Sequence, residues 1–304
     1  MDMPYLSEED VAQYLDYPSL IELMEKAMIE ASEGHVVQPI RQMLPIEENQ
    51  RYLAIMPVAA SDGMGAKLVA FYPKNAGTHY HTHMGVIALF DTHTGQPLAF
   101  MDGRLITEMR TAANSAALTK FAAPENSKTL AIIGSGVQGR AHLAALSILY
   151  DFEKITVWSR TEANAQAFAE AHNAHRAATI EEAVKDADII VTSTNSQVPL
   201  LKGEWLKPGC HVNSVGSPRH DWRELDDAVM ANTIIVDCRK SVLEEAGDII
   251  HSGATIHAEA GEVMSGKVPV DREDTTVFKS VGIAVQDIAT ARMVYERHKA
   301  SQPS

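Results

Sequence analysis

Residues 129–139 read Thr-Leu-Ala-Ile-Ile-Gly-Ser-Gly-Val-Gln-Gly, and no other stretch limits the fold so strongly. Leu130 to Ile133 are apolar and partly β-branched, as a buried parallel strand requires. They run straight into Gly134, Gly136 and Gly139, a complete G-x-G-x-x-G. Arg140 to Leu149 then reads as a helix, with Ala141, Ala144, Ala145, Ile148 and Leu149 along one side. In a strand–turn–helix of this kind, one glycine permits the tight turn and the next lets backbone approach a pyrophosphate. The third lets helix and strand pack closely. The helix N-terminus adds unpaired N–H groups and a partial positive charge. The stretch therefore predicts a dinucleotide site, against the plainer reading of a glycine-rich structural turn.

The chain around it divides in two. Ser7 opens a short helix, and Ser19 with Glu22 reads as a capping box for a second, closed by Gly34. Strand signals follow near Val36–Pro45, Tyr52–Val58, Ala66–Tyr72, Val86–Asp91 and Pro97–Met101. With no helices between them they predict an antiparallel sheet. Thr107–Phe121 reads as an Ala-rich bridging helix ended by Pro124. After the glycine turn, strands at Ile155–Ser159, Ile189–Ser193, His211–Val215 and Ile234–Val236 alternate with helices, which predicts a doubly wound parallel sheet. A last helix near Ile283–His298 needs a partner for its apolar face, and the first domain is one option. The expected fold class is α/β. It combines a Rossmann-type doubly wound parallel sheet over 113–276 with a mixed α+β domain from 1–112 and 277–304.

Composition narrows the function. The chain has 304 residues, enough for two domains, and a net charge of −14 that disfavours nucleic acid and anionic membranes. A small anionic substrate stays open, because a site can be locally basic. Two cysteines, Cys210 and Cys238, are too few for a disulfide framework. Together with an acidic start lacking an apolar leader, they suggest a cytoplasmic protein. No apolar run approaches membrane-spanning length.

Three cations occupy odd places. Lys67 interrupts the apolar run Ala66–Tyr72, Arg41 lies between Ile40 and Met43-Leu44, and Arg110 falls in the first turn of the Ala-rich helix, where a cation opposes the dipole. Singly Lys67 reads as an edge-strand charge and Arg41 as a snorkelling arginine, and each of the three alone reads as structural. Together, in an acidic protein, they suggest a pocket for a carboxylate. The second strand of the parallel domain runs out into Ser159-Arg160-Thr161, where NAD sites usually carry an acidic residue. A guanidinium and two hydroxyls suit a 2′-phosphate, so NADPH is expected to be preferred, with NADH possible. The alternative is a solvated surface arginine. His79, His81 and His83 alternate, but nothing in that run completes a metal set, and no metal is expected. Asp221–Asp227 is an acidic run that reads equally as part of a site or as a solvated helix start.

KLVAFYP at Lys67–Pro73, MDGRLITEMRTAANSAALTKF at Met101–Phe121, IIGSGVQ at Ile132–Gln138, Val212–Asp227 and Thr275–Asp287 together resemble the ornithine cyclodeaminase and mu-crystallin family. The likeness spans nearly the whole chain and is closest to the mu-crystallin branch, whose members reduce ketimines with NADPH. It implies a homodimer, with the N-terminal sheet and C-terminal helix forming a substrate and dimerisation domain. It also implies that Arg41, Lys67 and Arg110 bind the substrate carboxylate, while Glu245 or Asp221 is the acid that could compensate on the substrate side for an aspartate this chain lacks. Thr82, His83, Gly136, Val137, Gln138, Ser159, Arg160, Thr161, Asn164 and Val215 match cofactor-contacting positions, and Arg110 is shared with that set. The cyclodeaminase and alanine dehydrogenase branches carry an aspartate shortly after the Val-Gly pair, where this chain has Pro218, which offers no side-chain acceptor.

The expected activity is NAD(P)H-dependent reduction of small cyclic ketimine carboxylates such as pyrroline- or piperideine-2-carboxylate. Arg41 and Arg110 would grip the carboxylate, and Lys67 would supply the proton. Two alternatives stand beside it. One is an ornithine cyclodeaminase or alanine-type amino-acid dehydrogenase. The other is a nucleotide- and small-acid-binding protein with little turnover.

Overall fold

The computed structural model describes residues 3–47, 51–61 and 63–302. The chain forms two compact units, one from its start to Arg110 and from Ile283 onward, the other from Thr111 to Gly282.

The first unit begins with β1 (Tyr5–Leu6), α1 (Glu8–Ala12) and α2 (Tyr17–Ser32). Ser7 caps α1 in a reciprocal box with Asp10. The box expected at Ser19 and Glu22 does not form. Asp16 caps α2, taking the Ser19 N–H at 2.8 Å. Pro18 sits in the first turn, where its missing N–H costs nothing. Five strands follow: β2 (Gln42–Glu47), β3 (Arg51–Ala59), β4 (Met64–Phe71), β5 (His83–Phe90) and β6 (Pro97–Asp102). They pair antiparallel, but β1 adds to β6 in parallel, giving the order β1-β6-β5-β4-β3-β2. The stretch before β2 pairs with the sheet through an isolated bridge between Val37 and Ala59. Helix α3 (Arg104–Ala122) starts a turn earlier than the sequence predicts, with the Asp102 carboxylate taking the Arg104 N–H at 2.8 Å.

One face of this sheet is buried. Met56, Lys67, Ile87, Met101 and Leu6 form a single cross-strand row, all buried. The C-terminal helix (Ala284–Ser301) packs back onto β3, β4, β5 and α2. Gly65 makes room for it, because a Cβ there would lie 2.9 Å from Ile288 Cδ1 and 2.2 Å from the Ala88 carbonyl oxygen. The opposite face carries Tyr5, Leu44, Leu68, Met84 and Phe100, all exposed.

The second unit holds eight parallel strands. They are β7 (Thr129–Ile133), β8 (Lys154–Trp158), β9 (His175–Arg176), β10 (Ile189–Thr192), β11 (His211–Ser214), β12 (Thr233–Val236), β13 (Ile256–Glu259) and β14 (Thr276–Lys279). Helices α4 (Val137–Leu146), α5 (Glu162–His172), α6 (Ile180–Val184), α7 (Asp227–Met230), α8 (Arg239–Glu245), α9 (Gly247–Ser252) and α10 (Ala260–Met264) lie between them. The order is β13-β12-β14-β11-β10-β7-β8-β9. Strand β10 is buried along its whole length, as a central parallel strand covered on both faces must be. β14 lies inside this sheet between β11 and β12, so residues 277–282 go with the second unit, and the chain passes between units inside α3 after Arg110. The reading that began the C-terminal part of the first domain at residue 277 is corrected accordingly. Among the described residues no helix is long and apolar enough to cross a membrane.

Candidate active site

In the first unit, β4, α3 and the C-terminal helix bring three charges together. Lys67 is not an edge-strand charge: β4 lies between β3 and β5, and Lys67 is only 2% exposed. Its Nζ lies 2.7 Å from Asp287 Oδ2 and 3.4 Å from Thr107 Oγ1. Arg110 is not in a first turn either. With α3 starting at Arg104 it lies in the second turn, buried, so the dipole argument falls. Its Nε donates to Asp287 Oδ1 at 2.9 Å and its Nη1 to Gln286 Oε1 at 2.6 Å. One carboxylate thus joins two cations, and the cluster keeps a net positive charge away from water.

The electrostatics follow from that. Burial pushes Lys67 down to about 8; Asp287 works against the fall, while Arg110 and Arg41 add to it. Burial works to raise the Asp287 carboxyl, but Arg110 and Lys67 outweigh it and hold it below the usual range. Arg41, half-buried just before β2, is therefore close enough for its charge to act on Lys67. His83 opens β5 beside Phe71, with ring centroids 4.6 Å apart, and Thr82 Oγ1 lies 3.3 Å from its Nδ1. Although solvent reaches part of the ring, crowding by the surrounding protein and then the Lys67 charge lower the His83 pKa. Arg41, Lys67, His83 and Arg110 thus share one neighbourhood, with Thr82 adjoining it. Asp287 and Gln286, which the sequence reading did not single out, fix it. The available signal was an acid in the first turn of the last helix, but its burial comes from packing that no local pattern encodes.

In the second unit the glycine turn has the form its sequence predicts. Gly134 has φ +112, donates to the Trp158 carbonyl at 2.9 Å, and would push a Cβ to 2.7 Å from the Ser193 carbonyl oxygen. A Cβ on Gly139 would lie 2.1 Å from the Gly134 carbonyl oxygen, so helix and turn touch only through glycine. Gly136 caps α4, where a Cβ would meet nothing within 4 Å and no side chain caps the helix. Val137 is exposed and the Gln138 Oε1 is buried without a hydrogen-bond partner. These open, polar surroundings fit a dinucleotide. Ser159, Arg160 and Thr161 come directly after β8, Thr161 caps α5 without a side-chain bond, and Asn164 lies in the first turn of that helix. Arg160 is exposed and makes no ion pair among the described residues. Val215, half-buried, follows β11 and donates its N–H to the Thr192 carbonyl at 3.0 Å. The turn, Ser159 and Val215 all lie at the carboxyl ends of parallel strands, where such sheets bind ligands.

Glu245 ends α8 in this unit, half-buried. The acidic run at 221–227 splits. Asp226 caps α7, Asp221 and Asp227 lie toward the surface, and Glu224 is wholly buried. Among the described residues no three His, Cys, Asp or Glu side chains gather into a metal-holding group.

Comparison with known proteins agrees across the whole length. The chain is 44% identical over 302 residues to the ketimine reductase mu-crystallin of Macropus fuliginosus, covering 96% of each chain. The fold matches a structure of Thermococcus litoralis Delta(1)-pyrroline-2-carboxylate reductase in complex with NADH and L-proline, with TM-score 0.93, 34% identity and 98% of each chain covered. It also matches an archaeal alanine dehydrogenase dimer with bound NAD, with TM-score 0.92, 29% identity, and 99% of this chain and 97% of that one covered. The family model for the ornithine cyclodeaminase/mu-crystallin family matches residues 2–302, and the chain belongs to that family.

Proposed function

We propose that this protein is an NADPH-dependent reductase of small cyclic ketimine carboxylates, the pyrroline- and piperideine-2-carboxylate class, yielding cyclic L-amino acids. The observation that carries the reading is the buried Lys67–Asp287–Arg110 cluster in a chain 44% identical to a ketimine reductase. Arg110 is held by Nε and Nη1, so the guanidinium is fixed before substrate arrives. With Arg41 it binds the carboxylate, and holding the imine in place supplies much of the acceleration. The reduced nicotinamide supplies the hydride that adds to C2. Lys67 gives a proton to the imine nitrogen, so that C=N becomes CH–NH. A lysine near pKa 8 is still protonated at neutral pH yet gives the proton up more readily than an ordinary one.

The glycine turn, Gln138 and Val215 hold the dinucleotide, and Arg160 with Ser159, Thr161 and Asn164 takes the 2′-phosphate. The exposed, unpaired Arg160 supports NADPH over NADH. Cyclodeamination of ornithine is disfavoured, because Pro218 stands where that branch carries its aspartate. The active form is a homodimer, in which a second copy covers the exposed face of Tyr5, Leu68, Met84 and Phe100. The alanine dehydrogenase relative is itself a dimer. Phe100→Glu should give a monomer in light scattering; a dimer that persists would place the interface elsewhere.

The test is NADPH oxidation with a panel of cyclic ketimine carboxylates, pyruvate with ammonia or methylamine, and ornithine. Turnover should be fastest with the cyclic ketimines. Tight NADPH binding with no turnover on any of them would point to a binding protein.

A further inference from the structure

At the carboxyl ends of β10, β11 and β14 lies a second buried charged cluster that the proposed chemistry does not use. Lys279 is wholly buried, 2.8 Å from Asp248 Oδ2. Its Nζ also donates to the Gly216 carbonyl at 2.8 Å and to Ser214 Oγ at 3.2 Å. Glu224, also wholly buried, accepts the Thr194 N–H and hydroxyl, each at 2.6 Å, and the Thr192 hydroxyl at 2.9 Å. Asp248 Oδ1 takes the N–H groups of Glu224 and Leu225, both at 2.9 Å. Three ionisable side chains out of water are an expensive way to stabilise a fold, since apolar groups of the same shape often do as well. What they grip, through the Thr192, Thr194 and Ser214 hydroxyls, the Thr194 N–H and the Gly216 carbonyl, is the backbone where it leaves β10 at Thr192–Thr194 and β11 at Ser214–Gly216.

That backbone is itself under constraint. A Cβ on Gly216 would lie 2.4 Å from both Glu224 Oε1 and the Thr194 carbonyl oxygen. Ser217 adopts φ +49, a left-handed conformation that is strained for a non-glycine residue and persists only where the surroundings dictate it. Its N–H donates to the Thr194 carbonyl at 3.0 Å and its hydroxyl to the Ser196 carbonyl at 2.6 Å. Doubly wound dinucleotide folds are built of two mononucleotide-binding halves that meet where the strand order reverses. Here the reversal lies between β7 and β10. The β7–β8 half carries the glycine turn and Arg160, and the β10–β11 half carries the clamped turn.

We propose that Glu224, with Lys279 and Asp248, is a positioning residue for the nicotinamide half of the coenzyme: it fixes the Val215–Ser217 turn while the adenosine half depends on the other strands. This rests on the coenzyme reading above. The test compares two ligands by titration, NADPH and 2′,5′-ADP, which lacks the nicotinamide half. In Glu224→Gln, which keeps size and loses charge, the NADPH dissociation constant should rise about tenfold and kcat fall by about tenfold or more. Affinity for 2′,5′-ADP should stay near wild type. Thr194→Val, which leaves every charge in place, should shift the same way even if Glu224→Gln does not fold, and Thr194→Ser should restore both values. Wild-type NADPH affinity and kcat in Thr194→Val would overturn the inference. So would an equal loss of affinity for both ligands, which would mark a general structural role. Wild-type protein is titrated alongside, and failure of that protein to bind NADPH would overturn the coenzyme reading itself.

Discussion

Lys67 and Asp287 sit 2.7 Å apart, 220 positions apart in sequence, both buried in the first unit. The other oxygen of the same carboxylate holds Arg110 at 2.9 Å. Asp287→Asn therefore leaves two buried cations without their counter-charge. Removing one partner of such a pair costs about 3–5 kcal/mol, so the variant should unfold at markedly lower denaturant, if it folds at all. Stability within about 1 kcal/mol of wild type would mean that the pair contributes little.

Lys67→Met tests the proton donor. General-acid catalysis contributes about 100- to 10,000-fold, so kcat should fall by at least the lower figure. Wild-type kcat would show that Lys67 is not the donor. The pH profile carries the same information. The donor works only while protonated and its pKa is lowered to about 8, so kcat should be level below that value. Above it the rate should decline by about tenfold per pH unit. A profile that stays level past pH 10 would contradict the assignment.

Arg160→Ala should separate the two coenzymes. A charge-assisted contact to a 2′-phosphate is worth about 1.5–3 kcal/mol, so the KM for NADPH should rise about ten- to a hundred-fold. The KM for NADH should hardly change. Equal effects on both, or none, would make Arg160 a solvated surface residue.

The glycine turn predicts a contrast between two alanines. In Gly139→Ala the new methyl meets the Gly134 carbonyl oxygen at 2.1 Å, so stability should drop by about 1–3 kcal/mol. In Gly136→Ala the methyl meets nothing within 4 Å, so stability should hold while nucleotide affinity falls. Thermal melts and NADPH titration read the two effects separately. A stable Gly139→Ala protein would contradict the packing role.

The parallel sheet was legible because its signal is local: apolar runs, a glycine turn and alternating helices. β14 escaped that reading, since its place between β11 and β12 depends on pairing across more than forty residues. β1, two residues long, carries no period to detect. In the candidate site, Lys67 showed itself as a charge in an apolar run, whereas Arg110 was singled out by a first-turn position that the earlier start of α3 removes. Asp287 looked like an ordinary first-turn acid, and Glu224 like one more charge in an acidic run that reads equally as part of a site or as a solvated helix start. What distinguishes both is burial, set for Asp287 by the C-terminal helix packing on its sheet, while Glu224 is buried against Thr192, Thr194 and Ser214.

The most direct measurement of the central claim follows the hydride itself. NADPH carrying deuterium at the transferable C4 position is incubated with pyrroline-2-carboxylate, and the proline formed is analysed by mass spectrometry. Deuterium should appear at C2 of proline, in step with oxidation of the coenzyme. Unlabelled proline, or none at all while labelled NADPH stays bound and intact, would contradict the assignment.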